Sequence, residues 1–131
     1  MKPKFRAWDK ITKSMREVSY IYFDGKAIGL KDIETDRYIR DVVLMQFTGL
    51  QDKNGVDIYE GDIVKGKQNI ISSMHLPPFK YGVIKYSERN TMFYLDDGSK
   101  RHDLFISFGG DIYTYEVIGN IYENSEFLEG K

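Results

Sequence analysis

The sequence has no cysteine, only two histidines and three prolines, and no long apolar run. The absence of cysteine excludes disulfides, thiolate metal sites and a cysteine nucleophile. The longest apolar stretches, such as Val42–Met45 and Leu104–Phe108, are too short to cross a bilayer. Residues 1–10 include several charged residues, and they are not followed by the apolar segment that a signal peptide would have. We therefore expect a soluble, cytoplasmic protein.

The two histidines give little basis for catalysis. His102 lies among three carboxylates that could serve a metal ion or a phosphodiester-cleaving site, namely Asp96, Asp97 and Asp103. However, "DDG" at residues 96–98 is a signal for a solvated hairpin turn, and no spacing matches a known ligand pattern. His75 follows two serines, but such a pair also needs an orienting acid. We predict no enzymatic activity, no catalytic residue, no metal and no cofactor.

Aromatic residues, in contrast, make up 15% of the chain, with ten tyrosines and eight phenylalanines. Aromatic and β-branched residues suit the half-buried surface of a sheet. Short alternating segments are separated by turn signals about every ten residues, a pattern typical of all-β proteins. A length of 131 residues is within the size of one domain. We predict a single all-β domain over residues 1–131.

The pattern also places individual elements. The apolar run "VVLMQFTG" at residues 42–49 predicts a strand buried on both faces. The polar segment Lys31–Asp41 is predicted to be a loop, and Ser125–Leu128 a short helical turn near the C-terminus. The residues predicted to form the core are Phe5, Ala7, Leu44, Ile63, Val83 and Val117.

The segment "TGLQDKNGVDIYEGDIVKGK", Thr48–Lys67, resembles an acidic metal loop through Asp52, Asn54, Asp57, Glu60 and Asp62. A calcium loop of the EF-hand type starting at Asp52 would need glycine at its sixth position and glutamate at its twelfth, and the chain has neither there. Asn54–Gly55, however, can supply the positive φ angles of a tight hairpin turn. We predict a hairpin rather than an ion site.

Charge is unevenly distributed, although the net charge is only −1. Residues 1–16 carry six cations and one carboxylate, whereas residues 111–131 carry one lysine and five carboxylates. One interpretation is that the two ends neutralise each other as neighbours in one sheet. The alternatives are a basic face for a polyanion and complementary ends in a head-to-tail homo-oligomer.

The segment Gly66–Lys80 is longer than the fold requires and contains the apolar residues Met74, Leu76 and Phe79. Burial of such side chains is favourable, so they are expected to find a surface. That surface is either the protein's own fold or a partner, which includes a sister subunit. We therefore predict a protein-interaction or assembly module with Met74, Leu76 and Phe79 as candidate partner-binding residues.

Nucleic-acid binding is the alternative function, because basic residues alternate with aromatic residues between Lys65 and Arg101. The candidate contacts are Lys65, Lys67, Lys80, Tyr81, Lys85 and Tyr86. The net charge near zero weighs against this function. Salt separates the two classes, since phosphate contacts weaken steeply with added ions and apolar contacts do not.

Three segments resemble the YopX family of phage and prophage proteins: "KFRAWD" (4–9), "LMQFTGLQDKNGVDIYEGDIV" (44–64) and "EVIGNIYENSEFLE" (116–129). The stretch Lys65–Ile112 matches poorly. The resemblance implies an SH3-like small β-barrel or roll with additional hairpins, and a bacteriophage or prophage context in a bacterial host. It implies no established activity and no catalytic motif.

Overall fold

The structure, a computed structural model, describes residues 3–24, 26–68, 81–98, 101–103 and 113–129. Regular structure in these ranges is almost entirely strand, which confirms the all-β prediction. The strands are β1 (Phe5–Asp9), β2 (Ser14–Tyr22), β3 (Ala27–Leu30), β4 (Arg37–Tyr38), β5 (Val42–Gln51), β6 (Asp57–Tyr59), β7 (Asp62–Gln68), β8 (Gly82–Ser87), β9 (Met92–Asp96), β10 (Arg101–Asp103) and β11 (Tyr113–Asn120). Helix α1 (Glu126–Glu129) confirms the predicted helical turn. Across these ranges, no helix is long and apolar enough to cross a membrane.

The strands form two antiparallel sheets with the orders β4-β3-β2-β1-β5-β6 and β10-β9-β8-β7-β11. Within the described residues neither sheet closes on itself, so the expected SH3-like barrel is not confirmed. Three of the four end strands are only two or three residues long, which leaves little backbone for closure. The chain divides into two compact units, Met1–Phe47 and Thr48–Lys131. The assignment of one domain stays a prediction.

The core of the first unit consists of the buried residues Ala7, Ile28, Leu30 and Val42. Val18 and Ile21 of β2 pack against it although their spacing is odd. The register of β2 on β3 shifts between Val18 and Tyr20. Such a bulge lets two residues at odd spacing project from the same side of a strand.

Strand β5 buries residues on both faces, with Val42 on one and Met45 and Phe47 on the other. Leu44, however, is 38% exposed, so its prediction as a core residue is wrong. The cross-strand row of Leu44 contains Ala7 and Arg16, a small side chain and a charged one. This row gives Leu44 little apolar cover.

The segment Lys31–Asp41 is not wholly a loop, as was predicted, because it contains β4 and a 3₁₀ turn at Ile39–Asp41. Strand β4 pairs with β3, with Arg37 opposite Ile28. Arg37 also forms an ion pair with the buried Asp9, 3.0 Å from Nε to Oδ1. The polar composition of the segment did not indicate this strand, because the residue that neutralises Arg37 lies far away in the sequence.

The core of the second unit consists of Ile58, Val64, Ile84, Leu95 and Tyr115. The predictions for Ala7, Ile63 and Val83 as core residues are confirmed. Phe5 and Val117 are only half-buried, and Val117 packs against the core of the second unit.

The acidic segment forms the predicted hairpin, organised by the buried carboxylate of Asp52. Its Oδ1 accepts hydrogen bonds from the backbone N–H groups of Asn54 and Val56, at 2.8 and 2.9 Å. Its Oδ2 accepts the N–H of Val117 in β11 at 2.9 Å. Only Gly55 has a positive φ, +79°, and Asn54 does not, which corrects the expected two-residue turn. The Gly55 N–H donates to the Asp52 carbonyl, as in a type I turn followed by a left-handed glycine.

The two oppositely charged ends belong to different sheets. Strand β1 lies between β2 and β5 in the first sheet, whereas β11 pairs with β7 in the second. The interpretation that the ends neutralise each other within one sheet is therefore wrong. The positions of β1 and β11 in the sequence do not indicate which sheet each strand joins.

Candidate functional site: an exposed aromatic face

One side of strands β2, β3 and β4 carries exposed tyrosines. The register pairs Tyr22 with Ala27 and Ala27 with Tyr38, and it pairs Tyr20 with Gly29. Cross-strand partners project from the same side of a sheet. These five residues therefore share one surface, which we call the aromatic face.

The tyrosines of the aromatic face are large apolar groups left in solvent. Tyr20 is 45% exposed, and Tyr22 and Tyr38 are each 58% exposed. Phe23, directly after β2, is 81% exposed. Single exposed apolar residues are common, but a group of them on one surface is typical of an interaction site.

Tyr20 is fixed in position by two contacts. Its ring lies directly on Gly29, where the missing side chain leaves room for it. Its hydroxyl donates a hydrogen bond to Asp36, and this bond raises the pKa of Tyr20 above its ordinary value. The ring also meets Tyr22 edge to face, with 5.1 Å between centroids. The face is therefore partly preorganised before any partner binds.

Gly29→Ala tests this arrangement. The new methyl group would overlap the Tyr20 ring, so the ring must swing outward and lose its hydrogen bond to Asp36. We expect the free energy of unfolding to fall by about 1 kcal/mol, at the low end for overpacking because the ring can move into solvent. We also expect the pKa of Tyr20 to move down toward its ordinary value, as measured by NMR titration.

Gly55→Ala is the matched control for Gly29→Ala. Gly55 has open space around it but a positive φ, so alanine there causes backbone strain without touching Tyr20. The titration of Tyr20 should be unchanged in this variant. An unchanged Tyr20 titration in Gly29→Ala would show that the ring is not held as described.

An open concavity of about 440 Å³ lies at one end of the aromatic face. Its lining comprises Ile21, Tyr22, Phe23, Asp24 and Ala27. The small side chain of Ala27 lies between the two tyrosines of its row, Tyr22 and Tyr38. The concavity thus combines two aromatic rings, an apolar floor and one carboxylate.

The candidate partner-binding residues Met74, Leu76 and Phe79 lie outside the described residues, as does Lys80. Their proposed role stays a prediction. The aromatic face contains none of the candidate residues predicted from the sequence, although the alternation "YIY" at residues 20–22 was a visible signal for it. That signal was missed because the large aromatic residues of an alternating strand are ordinarily assigned to the core.

The candidate nucleic-acid contacts that the structure describes lie in or next to strands β7 and β8, and they do not all project from one side of the sheet. Lys85 Nζ lies 2.8 Å from Asp96 Oδ2, and this hydrogen bond raises the pKa of Lys85. Lys65 pairs in register with Glu116. Tyr86 follows Lys85 directly in β8, so the two project from opposite sides of the sheet.

The remaining aromatic candidate, Tyr81, packs against a ring of helix α1. Its centroid lies 5.3 Å from that of Phe127. Tyr86 likewise meets Phe93 edge to face at 5.0 Å. Both rings therefore have intramolecular packing, and the backbone of Lys67 lies in β7, opposite Thr114 of β11. Nucleic-acid binding by these residues stays a prediction.

The hairpin predicted at residues 96–98 lies between the paired strands β9 and β10, and Gly98 there has a positive φ of +94°. His102 lies in β10, paired in register with Leu95. The Asp96 carboxylate holds Lys85 and accepts the N–H of Gly98 at 2.9 Å, which keeps the pKa of Asp96 below its ordinary value. Across the described ranges, no group of three or more histidine, aspartate or glutamate side chains is arranged to hold a metal ion.

Comparison with known proteins identifies a protein family and a solved structure of similar fold. No significant match was found among curated proteins. The crystal structure of protein EF1440 from Enterococcus faecalis is similar, with a TM-score of 0.66 and 30% sequence identity over 98% of this chain and 99% of that one. The sequence model of the YopX protein family matches residues 4–129. Because this match spans nearly the whole chain, including the strands of the aromatic face, the chain belongs to the YopX family.

Proposed function

We propose that this protein is a non-enzymatic protein-interaction module of phage or prophage origin that binds another protein through the aromatic face. The observation that carries the proposal is the exposure of Tyr20, Tyr22 and Tyr38 on adjoining strands, together with that of Phe23 directly after β2. Tyrosine and phenylalanine are enriched at protein interfaces, where they supply large contact area at low entropic cost. The phage origin rests on the context that the YopX family implies.

The buried carboxylates of Asp9 and Asp52 support a non-enzymatic role. Asp9 is occupied by Arg37 and by the hydroxyl of Thr12, at 2.6 Å. Asp52 accepts three backbone N–H groups. Groups committed to structural hydrogen bonds are poorly placed for general acid or base catalysis, which requires an accessible proton.

The charge near the aromatic face favours a protein over a nucleic acid. Residues 14–38, which span the strands of the face, carry five carboxylates and four cations, a net charge of −1. This span has no excess of cations to neutralise a phosphate backbone, on which nucleic-acid affinity depends. Self-association through the Gly66–Lys80 segment remains compatible with this proposal as a separate contact.

Peptide selection tests the proposal. We would select binders of the protein from a random-peptide library and measure their affinity for the wild type and for a variant with Tyr22→Ser, Phe23→Ser and Tyr38→Ser. We expect at least about a tenfold loss in the variant, because aromatic residues are enriched among the few interface residues whose truncation costs about 2 kcal/mol or more. The loss should persist at high salt, as apolar contacts require.

Tyr86→Ser provides the control, since it removes a tyrosine that is 36% exposed and belongs to the second unit. Affinity should be unchanged in this variant. If Tyr86→Ser weakens binding and the triple variant does not, or if single-stranded DNA binds more tightly than any selected peptide, the proposal is wrong. Both variants must retain the wild-type melting transition for the comparison to hold.

A further inference from the structure

We propose that the aromatic face recognises an extended, basic segment of a partner protein, and that an arginine or lysine of this segment occupies the concavity lined by Tyr22, Phe23, Asp24 and Ala27. This inference rests on the proposed function and adds the chemistry of the partner. It follows from the shape of the concavity, from its side chains and from the surrounding charge.

The shape suits one long side chain. Neighbouring strands are about 4.8 Å apart, so the backbones of Tyr22 and Tyr38, on either side of Ala27, are separated by about 10 Å. Only the small side chain of Ala27 lies between these two positions, and the concavity beside Tyr22 has a volume of about 440 Å³. A guanidinium group or a lysine side chain is small enough to enter this concavity beside Asp24.

The side chains suit a cation. Ring faces attract ammonium and guanidinium groups, and Phe23 and Tyr22 offer the most exposed rings of the concavity. Asp24 lines the same concavity and adds a negative charge within it. An apolar side chain in the concavity would contact the rings but would not interact with this carboxylate. A cation would interact with both.

The same sheet already places a guanidinium on one of these tyrosines. The guanidinium carbon of Arg40 lies 4.8 Å from the centroid of the Tyr38 ring. This intramolecular contact is within the range of cation–π interactions. It shows that a tyrosine ring of the aromatic face can hold a guanidinium group.

The charge of the concavity suits a basic segment. Residues 14–38, which span the strands of the aromatic face, carry five carboxylates and four cations, a net charge of −1. Two of these cations are paired, Lys31 with Glu17 at 3.2 Å and Arg37 with Asp9 at 3.0 Å. Asp24 is the carboxylate that lines the concavity, so it gives the cation of a partner its position.

Defined peptides test the inference. Short blocked peptides of serine alternating with arginine, lysine or glutamate would be titrated into the full chain and followed by the backbone amide signals in NMR. We expect the arginine peptide to bind most tightly, because guanidinium stacks on rings better than ammonium does. The shifted signals should be those of Tyr22, Phe23, Asp24, Ala27 and Tyr38.

Variants locate the cation. Asp24→Asn and Phe23→Ser should each weaken the arginine peptide by about two- to fivefold, the range expected for one exposed cation–π or ion-pair contact. Both positions are exposed, so neither change should unfold the chain. Tyr86→Ser should have no effect.

The outcomes separate this inference from the proposed function. If the glutamate peptide binds as tightly as the arginine peptide, or if Asp24→Asn has no effect, a basic partner is wrong. If library-selected peptides bind the aromatic face but lack basic residues, the inference fails and the proposed function stands. If no peptide of either kind shifts the signals of the aromatic face, both fail.

Discussion

Replacing Asp9 by alanine is expected to lower the free energy of unfolding by about 3–5 kcal/mol, as measured by urea denaturation. Asp9 is fully buried, and its partner Arg37 has a side chain that is 10% exposed. Removal of the carboxylate leaves a nearly buried guanidinium without its counter-charge, which is far more costly than losing an exposed ion pair. The hydroxyl of Thr12 and the N–H of Ile11 also lose their acceptor.

The Asp9–Arg37 pair also links β1 to β4, which are separated by two strands in the sheet order. Loss of the pair should therefore loosen β4 and displace Tyr38 from the aromatic face. The matched control is Glu17→Ala, which removes an ion pair whose side chains are 63% and 68% exposed. It should leave stability almost unchanged. Equal effects of the two substitutions would contradict the structural role of Asp9.

Asp52→Ala is expected to lower the free energy of unfolding by about 3 kcal/mol. Three backbone N–H groups lose a charged acceptor, and each such bond contributes about 1.5–3 kcal/mol, partly offset where water reaches the loop. The loop also covers the outer edge of β11: Val117 donates to Asp52, and the Tyr115 carbonyl accepts the N–H of Lys53. Urea denaturation measures the loss.

Two further variants resolve the contributions of Asp52. Asp52→Asn keeps an acceptor for the two turn amides but places an N–H₂ group toward Val117, so its effect should be intermediate. Lys53→Ala, in the same loop, removes only an exposed contact with Glu116 at 3.6 Å and should change stability little. If Lys53→Ala were as destabilising as Asp52→Ala, the carboxylate would not be the organising group.

At acidic pH, the difference in the free energy of unfolding between the wild type and Asp52→Ala should become smaller. Burial raises the pKa of Asp52, but the hydrogen bonds from Val117, Val56 and Asn54 outweigh burial and lower it below the ordinary value. A carboxyl with a lowered folded-state pKa stabilises the protein above its unfolded pKa, near about 4, and loses that contribution as the pH falls through the folded value. The two proteins should therefore converge in stability only below about pH 4.

Local patterns in the sequence predicted the features whose causes are local. The hairpin at Asn54–Gly55 follows from turn chemistry, and helix α1 lies where the local pattern at Ser125–Leu128 predicted it. The family follows from three segments that keep their order. The turn and the helix are each determined by residues within a short stretch of chain, and each of the three family segments is itself a short stretch.

Features that depend on register could not be predicted in this way. Leu44 is exposed because its row contains Ala7 and Arg16, and Arg37 lies in a strand because Asp9 neutralises it from 28 positions earlier. The aromatic face depends on the bulge in β2, which turns Tyr20 and Tyr22 outward while Val18 and Ile21 stay in the core. Alternation alone gives the spacing of these residues but not the side that faces solvent.

The location of the binding surface is the central claim, and an NMR footprint of a library-selected peptide tests it most directly. Backbone amide signals of the wild-type chain would be recorded with and without the peptide at saturation. We predict that the shifted signals cluster at Tyr20, Tyr22 and Tyr38. Shifts confined to Lys65, Lys85 and Tyr86, with the aromatic face unmoved, would contradict it.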